Sequence, residues 1–181
     1  MPYQPFANQG FRNVIQTHFE IPAMLRLLPV PYEARILEIG CGRGVALPSL
    51  AALCAPSRLV GVDIAPELIR TARRHAERWR VDAELFIADV RALPFAAETF
   101  DVVLDFGTCY HIDDPGSALR EISRVLVNGG YFIHESMVAQ RIAHPFRTSG
   151  QPLPWSTSPE LRSDRSALLW AARRKTPSAA R

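Results

Sequence analysis

The sequence predicts an α/β fold: a mainly parallel, doubly wound sheet with helices on both faces. Three observations support this prediction. Short apolar runs typical of buried strands alternate with segments of helical periodicity, and a glycine-rich turn follows the first run. Strands and helices that alternate in this way form a parallel sheet. Ligands of such sheets bind beyond the carboxyl ends of the strands, where the strand order reverses.

Five runs rich in Val, Ile, Leu and Phe are predicted to be the strands. They cover residues 34–39, 58–63, 83–88, 100–106 and 130–135.

Three segments between these runs are predicted to be helices, over residues 45–55, 66–80 and 114–126. Pro48 suits a first helical turn, where a missing N–H costs little. The second and third segments carry their apolar residues on one stripe. Asn128 and the two glycines after it are expected to end the third helix in a left-handed turn.

We divide the chain into three parts. Residues 1–33 are expected to form an N-terminal helical cap segment, and residues 34–139 a Rossmann-like core that binds the ligand. Residues 140–181 comprise a proline-rich loop, a last strand or helix, and a basic tail. The stretch 158–175 opens like a capped helix, yet residues 166–172 also suit a buried last strand.

The composition favours one cytoplasmic enzyme-sized domain. The chain has 181 residues, is 48% hydrophobic and carries a net charge of +3. Residues 161–181 hold six basic residues against the single Asp164, so the rest of the chain is slightly acidic and offers no general surface for nucleic acid. Three cysteines without metal-type spacing argue against a disulfide framework or a metal site. No apolar run approaches the ~20 residues of a membrane helix, and no charged and apolar leader opens the chain.

The sequence Ile-Leu-Glu-Ile-Gly-Cys-Gly-Arg-Gly at residues 36–44 is the most informative segment. A strand runs there into a turn with glycine at 40, 42 and 44. Glycine permits positive φ and lets main-chain N–H groups face a polar or anionic ligand. The turn therefore predicts a ligand site at the first strand's end.

Three acidic residues accompany the first three strands: Glu38 within the first, Asp63 at the end of the second and Asp89 just past the third. In a parallel sheet they project toward one edge and form a row beside the glycine turn. A carboxylate at Asp63 suits the two hydroxyls of a ribose, because it only accepts hydrogen bonds. An adenine amino group could donate to Asp89. Any one of these acids could instead cap a helix, but the ordered series favours a nucleoside.

From about residue 34 to 134 the chain resembles the class I S-adenosylmethionine-dependent methyltransferases, of the small-molecule "type 11"-like kind. The resemblance rests on the turn at 38–44, Gly-Val-Asp-Ile at 61–64, Ala-Asp-Val at 88–90, Phe-Asp-Val-Val-Leu at 100–104 and the segment 113–130. A dinucleotide site would want glycine at position 45, where Val45 stands. Asn128 departs from the family, which usually has proline there.

The resemblance implies S-adenosyl-L-methionine as the cofactor and a role for each matching residue. Gly40, Cys41 and Gly42 would lie against the methionine moiety, with Glu38 at its amino end. Asp63 would take the ribose hydroxyls and Ile64 would pack on adenine. Asp89 and the backbone of Val90 would read the adenine edge.

The segment after the fourth strand, residues 105–111, points toward the cleft by its position. His111 is the better candidate for a general base, since free histidine titrates near neutrality, although a structural role is also open. Tyr110 is the second candidate for a catalytic role, and it and Phe106 either line the donor pocket or simply pack. Asp105 either lies near the methionine ammonium or is a satisfied acid at a strand end.

The resemblance tips residues 166–172 toward a strand, since the family's last strand often ends in a basic run. We find no convincing strand between it and Glu135, which predicts a six-stranded sheet with a truncated C-terminal strand pair.

The function expected from these features is methyl transfer to a small molecule by in-line displacement, by a monomer or homodimer. The alternative is a domain that binds the donor without turnover, as a sensor or a partner subunit. The acceptor and its reacting atom are not identified by the sequence.

Overall fold

The computed structural model describes residues 21–26, 30–135, 154, 161–165 and 169–174. Four helices and seven strands lie in these ranges. In chain order they are α1 (Ile21–Arg26), β1 (Arg35–Ile39), α2 (Leu47–Cys54), β2 (Arg58–Asp63), α3 (Pro66–Trp79), β3 (Glu84–Ile87), β4 (Phe100–Asp105), α4 (Pro115–Val125), β5 (Leu126–Glu135), β6 (Leu161–Arg165) and β7 (Leu169–Arg174).

The strands form one sheet in the order β3-β2-β1-β4-β5-β7-β6. The first five are parallel, and β7 runs antiparallel to both β5 and β6. The order reverses between β1 and β4, where ligands of open α/β sheets bind. This is the doubly wound, mainly parallel sheet that the sequence predicts.

Neighbouring side chains of the strands point to opposite faces of the sheet and enter two separate cores. Ile36 packs with residues of α1, α2 and α3 on one face. Leu37 and Ile39 pack with residues of α4 on the other. Because both faces are covered there, the central strands β1, β2 and β4 are mostly apolar and buried, whereas the edge strand β3 is mostly exposed.

The helix boundaries follow local sequence signals. The Asp114 carboxylate accepts the backbone N–H of Ser117 at 3.0 Å and caps α4, which has a proline in its first turn. Arg80 ends α3 with φ of 53°, and its N–H reaches carbonyls of the last turn.

The predicted left-handed end of α4 is wrong. The chain becomes extended at Leu126 with φ of −74° and enters β5 directly. Gly129, with φ of 79°, lies inside β5, near the place where the pairing of β4 with β5 shifts register. The glycines therefore accommodate an irregularity in the strand instead of a helix terminus.

The six-stranded sheet is also wrong, because the described C-terminal segment contains two strands. β7 occupies most of the predicted last strand, and β6 precedes it at the edge of the sheet. Three of the five residues of β6 are charged, which suits an edge strand but hides it from an apolar pattern. Most of the predicted N-terminal cap and the 140–160 loop lie outside the described residues.

Among the described residues, no helix has the length and apolarity needed to cross a bilayer. All three cysteines, Cys41, Cys54 and Cys109, are buried free thiols.

Candidate functional site

A cavity of about 480 Å³ opens at the carboxyl ends of β1, β2 and β4. Its wall comes from the glycine turn, the end of β2 with the start of α3, the segment after β3 and the loop after β4. The lining residues are Gly40, Gly42, Val62, Asp63, Ile64, Ala65, Leu68, Ala88, Asp89, Val90, Arg91, Gly107, Thr108, His111, Ile112 and Asp113.

The three glycines of the turn have different structural roles. Gly40, Gly42 and Gly44 all have positive φ, of 62°, 55° and 75°. A Cβ on Gly40 would lie 1.7 Å from Oγ1 of Thr108, so only glycine lets the turn meet the loop after β4. A Cβ on Gly42 would meet nothing closer than 4.0 Å.

Gly44 does not line the cavity. A Cβ there would lie 2.8 Å from Cδ1 of Leu47 and 3.1 Å from Cβ of Ala72. Its glycine serves the close packing of α2 on α3.

Asp63 joins the glycine turn to the start of α3. Its Oδ2 accepts the Gly42 N–H at 2.9 Å, and its Oδ1 accepts the Ala65 N–H at 2.9 Å. Each carboxylate oxygen can accept a second hydrogen bond. Asp63 can therefore hold the turn and also accept hydroxyl donors from a ligand in the cavity.

Glu38 does not line the cavity, but it is an unusual acid near the Asp63 carboxylate. Its side chain is 4% exposed, and Oε2 has no hydrogen-bond partner among the described residues. Burial, and then the nearby charges of Asp63 and Asp105, raise the pKa of Glu38 to about 8. A buried carboxyl with an unused oxygen is suited to a cationic donor group.

The raised pKa predicts that Glu38 destabilises the ligand-free protein at high pH. The folded protein binds this proton more tightly than the unfolded chain, so stability falls as the pH rises from about 4.5 to about 8. Glu38→Gln, which stays neutral, should gain about 2–4 kcal/mol over the wild type between pH 5 and pH 9. Urea denaturation at both pH values measures the difference. Glu77→Gln, on the exposed side of α3, is the control, and parallel profiles for wild type and Glu38→Gln would contradict the prediction.

The part of the cavity wall that follows β2 and β3 contains Ile64, Asp89 and Val90, the residues predicted to face adenine. Ile64 is 62% exposed, which is a large apolar side chain available to a flat ring. Asp89 forms an ion pair with Arg91, a residue that the sequence did not single out. The guanidinium of Arg91 lies 2.6 Å from Oδ2 of Asp89. This contact and the hydrogen bond from the Arg91 backbone N–H lower the pKa of Asp89.

Asp105 does not line the cavity. Its fully buried carboxylate accepts the backbone N–H groups of Gly107, Thr108 and Cys109. Asp105 is therefore an acid at a strand end whose hydrogen-bonding capacity is used by the backbone. Its role is to shape the loop that forms the cavity wall.

Phe106 and Cys41 also lie away from the cavity lining. Both pack in the core on the face of α1, α2 and α3. The packing alternative therefore describes Phe106, and Cys41 contributes its position in the turn instead of a contact from its thiol.

His111 and Tyr110 are separated by the structure. His111 is exposed and lines the cavity. Tyr110 is 5% exposed, and its hydroxyl lies 3.2 Å from Nδ1 of the buried His134. Only His111 is placed to meet a ligand in this cavity.

The residues missed by the sequence lie in loops. Thr108, Asp113 and Arg91 all line the cavity. Thr108 stands in the segment 105–111 and Asp113 in the segment 113–130, both of which the sequence singles out, but their contacts could not be predicted. No pattern signals Arg91. In the described residues, no group of three or more His, Cys, Asp or Glu side chains is arranged to hold a metal ion.

Comparison with known proteins gives one family and a consistent set of relatives. The model of the family "Methyltransferase domain" matches residues 37–134. The ubiquinone biosynthesis O-methyltransferase of Cereibacter sphaeroides (strain ATCC 17029 / ATH 2.4.9) is 37% identical over 106 residues, 58% of this chain and 42% of that protein. The aklanonic acid methyltransferase DauC of Streptomyces sp. (strain C5) is 34% identical over 120 residues, 65% of this chain and 54% of that protein.

Solved structures show the same fold at low sequence identity. The YcgJ protein of Bacillus subtilis has a TM-score of 0.69 at 22% identity, covering 81% of this chain and 70% of that one. The N-methyltransferase NodS of Bradyrhizobium japonicum, in complex with S-adenosyl-L-homocysteine, has a TM-score of 0.66 at 22% identity, covering 88% and 86%. The chain spans about half the length of the named sequence relatives that it matches.

Proposed function

This chain belongs to the methyltransferase-domain family with the class I fold, and we propose that it transfers a methyl group from S-adenosyl-L-methionine to a small molecule. The observation that carries the proposal is the cavity at the glycine turn, where Asp63 lies on the wall, with the buried Glu38 carboxyl, whose Oε2 has no partner among the described residues, near Asp63. These groups match the ammonium and the ribose hydroxyls of the donor.

The residues present fit this cofactor. Asp63 would accept the ribose hydroxyls, Ile64 would pack against the base, and Glu38 would face the ammonium. Gly42 leaves open space beside the turn. When bound, the donor supplies a methyl group on a positively charged sulfonium.

The chain's main contribution to catalysis would be alignment. Holding two reactants in register supplies up to about 7–11 kcal/mol in favourable cases. Asp63 and Asp105 accept backbone N–H groups of the two loops that meet at Gly40 and Thr108, and these hydrogen bonds would hold the cavity wall in place around the reactants.

We infer an oxygen atom as the acceptor. One named relative is an O-methyltransferase of ubiquinone biosynthesis, and another is a methyltransferase of aklanonic acid. A hydroxyl must lose its proton, and His111 on the cavity wall can accept it. The acidic side chains of the wall, Asp63, Asp89 and Asp113, favour a small molecule over nucleic acid.

Transfer of a labelled methyl group to a panel of phenols, carboxylates, amines and quinone precursors tests the proposal. We expect product with at least one phenol or carboxylate. A protein that binds S-adenosyl-L-homocysteine but labels no member of the panel would contradict the proposed transfer and leave the binding site standing.

His111→Ala should lower kcat by about tenfold on a phenol acceptor, below the usual range for a lost base because the donor is already activated. The affinity for S-adenosyl-L-homocysteine, measured by calorimetry, should stay unchanged, because His111 is proposed to act on the acceptor and not on the donor. His75→Ala, on α3 outside the cavity lining, is the matched control. An unchanged kcat for His111→Ala would remove this residue from the reaction.

A further inference from the structure

The loop between β3 and β4 forms one wall of the cavity and contains no helix or strand. Its first residues, 88–91, line the cavity. Asp63 and Asp105 hold the other two loops of the cavity through backbone N–H groups. In the loop after β3, the Ala92 N–H donates to the Asp89 carbonyl at 2.9 Å, which joins the cavity wall to the residues that follow it. The position of the wall therefore depends on what holds those following residues.

Two side chains of α4 hold the loop at Leu93. The Leu93 N–H donates to Oε2 of Glu121 at 2.8 Å, and Nη2 of Arg124 donates to the Leu93 carbonyl at 3.0 Å. Nη1 of Arg124 also donates to the Phe95 carbonyl at 2.7 Å. Leu93 is only 5% exposed, so the polar groups of its backbone depend on these side chains for partners.

Glu121 and Arg124 are also bonded to each other. Nε and Nη2 of Arg124 lie 2.7 Å from Oε1 and Oε2 of Glu121. A guanidinium is planar and presents its N–H donors in a fixed fork, so one arginine can bond a carboxylate and two carbonyls at the same time. We call this pair, with its bonds to Leu93 and Phe95, the α4 clamp.

The α4 clamp is connected to the cavity wall through the core. Val90, on the wall, is 6% exposed and packs in the same apolar core as Leu93. Without Arg124 the buried carbonyl of Leu93 would lose its donor, and a buried polar group without a partner is costly enough to draw the backbone toward water. Because Leu93 follows the Asp89–Ala92 turn directly, such a movement would displace Asp89 and Val90.

Asp89 remains able to bind a ligand from its place on the wall. Its side chain is 31% exposed. Arg91 brings its backbone N–H, its Nε–H and one N–H of Nη2 to the carboxylate, which offers about four acceptor positions. The position of the loop thus decides whether the remaining capacity of Asp89 meets the base of a ligand.

We propose that Glu121 and Arg124 are positioning residues, which do not touch the donor but hold Asp89 and Val90 where these two residues contact the edge of its purine. The inference rests on the proposed function and deepens it. It assigns part of the selection of the base to two side chains of α4 that do not line the cavity.

The ion pair of Arg35 and Asp101 provides a matched control. Nε and Nη2 of Arg35 each lie 2.9 Å from an oxygen of Asp101, and the exposed fractions of the two side chains, 40% and 28%, are close to the 36% and 20% of Arg124 and Glu121. Both residues lie toward the amino ends of β1 and β4, whereas the cavity opens at the carboxyl ends. Loss of this pair should affect stability without moving the cavity wall.

The test compares two ligands by calorimetry: S-adenosyl-L-homocysteine and its 6-deamino analogue, in which hydrogen replaces the amino group. We expect the wild type to prefer the amino ligand by about tenfold, the gain from one hydrogen bond to a carboxylate. Arg124→Met should lower this preference to about threefold or less and weaken S-adenosyl-L-homocysteine binding by about tenfold. Arg35→Met should keep the wild-type preference, although urea denaturation should show a similar loss of stability in both variants.

Arg124→Lys is the second variant and keeps the test decisive if Arg124→Met does not fold. It retains the charge beside Glu121, but a compact ammonium cannot replace the fork, so the preference should again fall below that of the wild type. An unchanged preference in the folded Arg124 variants, or an equal fall in Arg35→Met, would overturn the proposal.

A wild type that binds both ligands equally well would also overturn the proposal, because Asp89 and Val90 would then not contact the purine edge. Absence of S-adenosyl-L-homocysteine binding to the wild type would instead overturn the proposed function and this inference with it.

Discussion

Gly40→Ala should lower the free energy of unfolding by about 2–5 kcal/mol, the largest loss of stability expected from one methyl group in this site. The new Cβ would lie 1.7 Å from Oγ1 of Thr108 and 2.8 Å from its Cβ. The φ of 62° adds strain that glycine avoids. Because the glycine turn and the loop after β4 must then separate, binding of S-adenosyl-L-homocysteine should also be lost. Urea denaturation and calorimetry measure the two effects.

Gly42→Ala is the control for backbone strain. Its φ of 55° is similar, but its Cβ would meet nothing closer than 4.0 Å, so only about 1–2 kcal/mol of stability should be lost. Gly40→Ala combined with Thr108→Gly should recover the steric part, because the three nearest atoms all belong to the Thr108 side chain. Equal losses in Gly40→Ala and Gly42→Ala would show that the contact with Thr108 does not matter.

Asp63→Ala should weaken S-adenosyl-L-homocysteine binding by about a hundredfold. The variant removes the charged acceptor for the ribose hydroxyls and the two backbone hydrogen bonds that position the turn, and a hydrogen bond to a charged group contributes about 1.5–3 kcal/mol. Calorimetry measures the affinity, and urea denaturation measures the accompanying loss of stability.

A second ligand separates the ribose contact from the turn. The 2′,3′-dideoxy analogue of S-adenosyl-L-homocysteine lacks both hydroxyls, so Asp63→Ala should change its affinity by less than about tenfold. Asp82→Ala, which removes an exposed carboxylate between α3 and β3, should leave both affinities unchanged. If Asp63→Ala weakened the affinity for both ligands equally, Asp63 would only position the glycine turn and would not bind the ribose hydroxyls.

The central parallel strands β1, β2 and β4 could be predicted from the sequence because they are buried on both faces. Ile36 and Leu37, for example, enter opposite cores, so consecutive residues of β1 are apolar. The charged edge strand β6 carries no such signal. The sequence pattern also could not predict that α4 continues directly into β5, because glycines after a helix are compatible with both a left-handed cap and an irregular strand.

The site divides in the same way. Gly40, Gly42 and Asp63 could be placed because the topology brings the ends of β1 and β2 together, and they line the cavity as expected. The hydrogen-bond partners of carboxylates in loops could not be predicted from the sequence. Asp105 bonds backbone groups two to four residues later, and Asp89 bonds Arg91 two residues later. Such short-range geometry depends on loop dihedrals that no periodicity encodes.

Strand β5 joins the parallel part of the sheet to its antiparallel C-terminal part. It pairs in parallel with β4 on one side and antiparallel with β7 on the other, although residues 169–174 come long after it in the chain. Until that segment docks, a ten-residue strand carrying the buried side chains of Phe132 and Ile133 is an open edge. Open apolar edges are templates for pairing with other chains. In the folded protein β7 covers this edge, so the C-terminal strands remove a template for pairing with other chains, a role separate from any contact with a ligand.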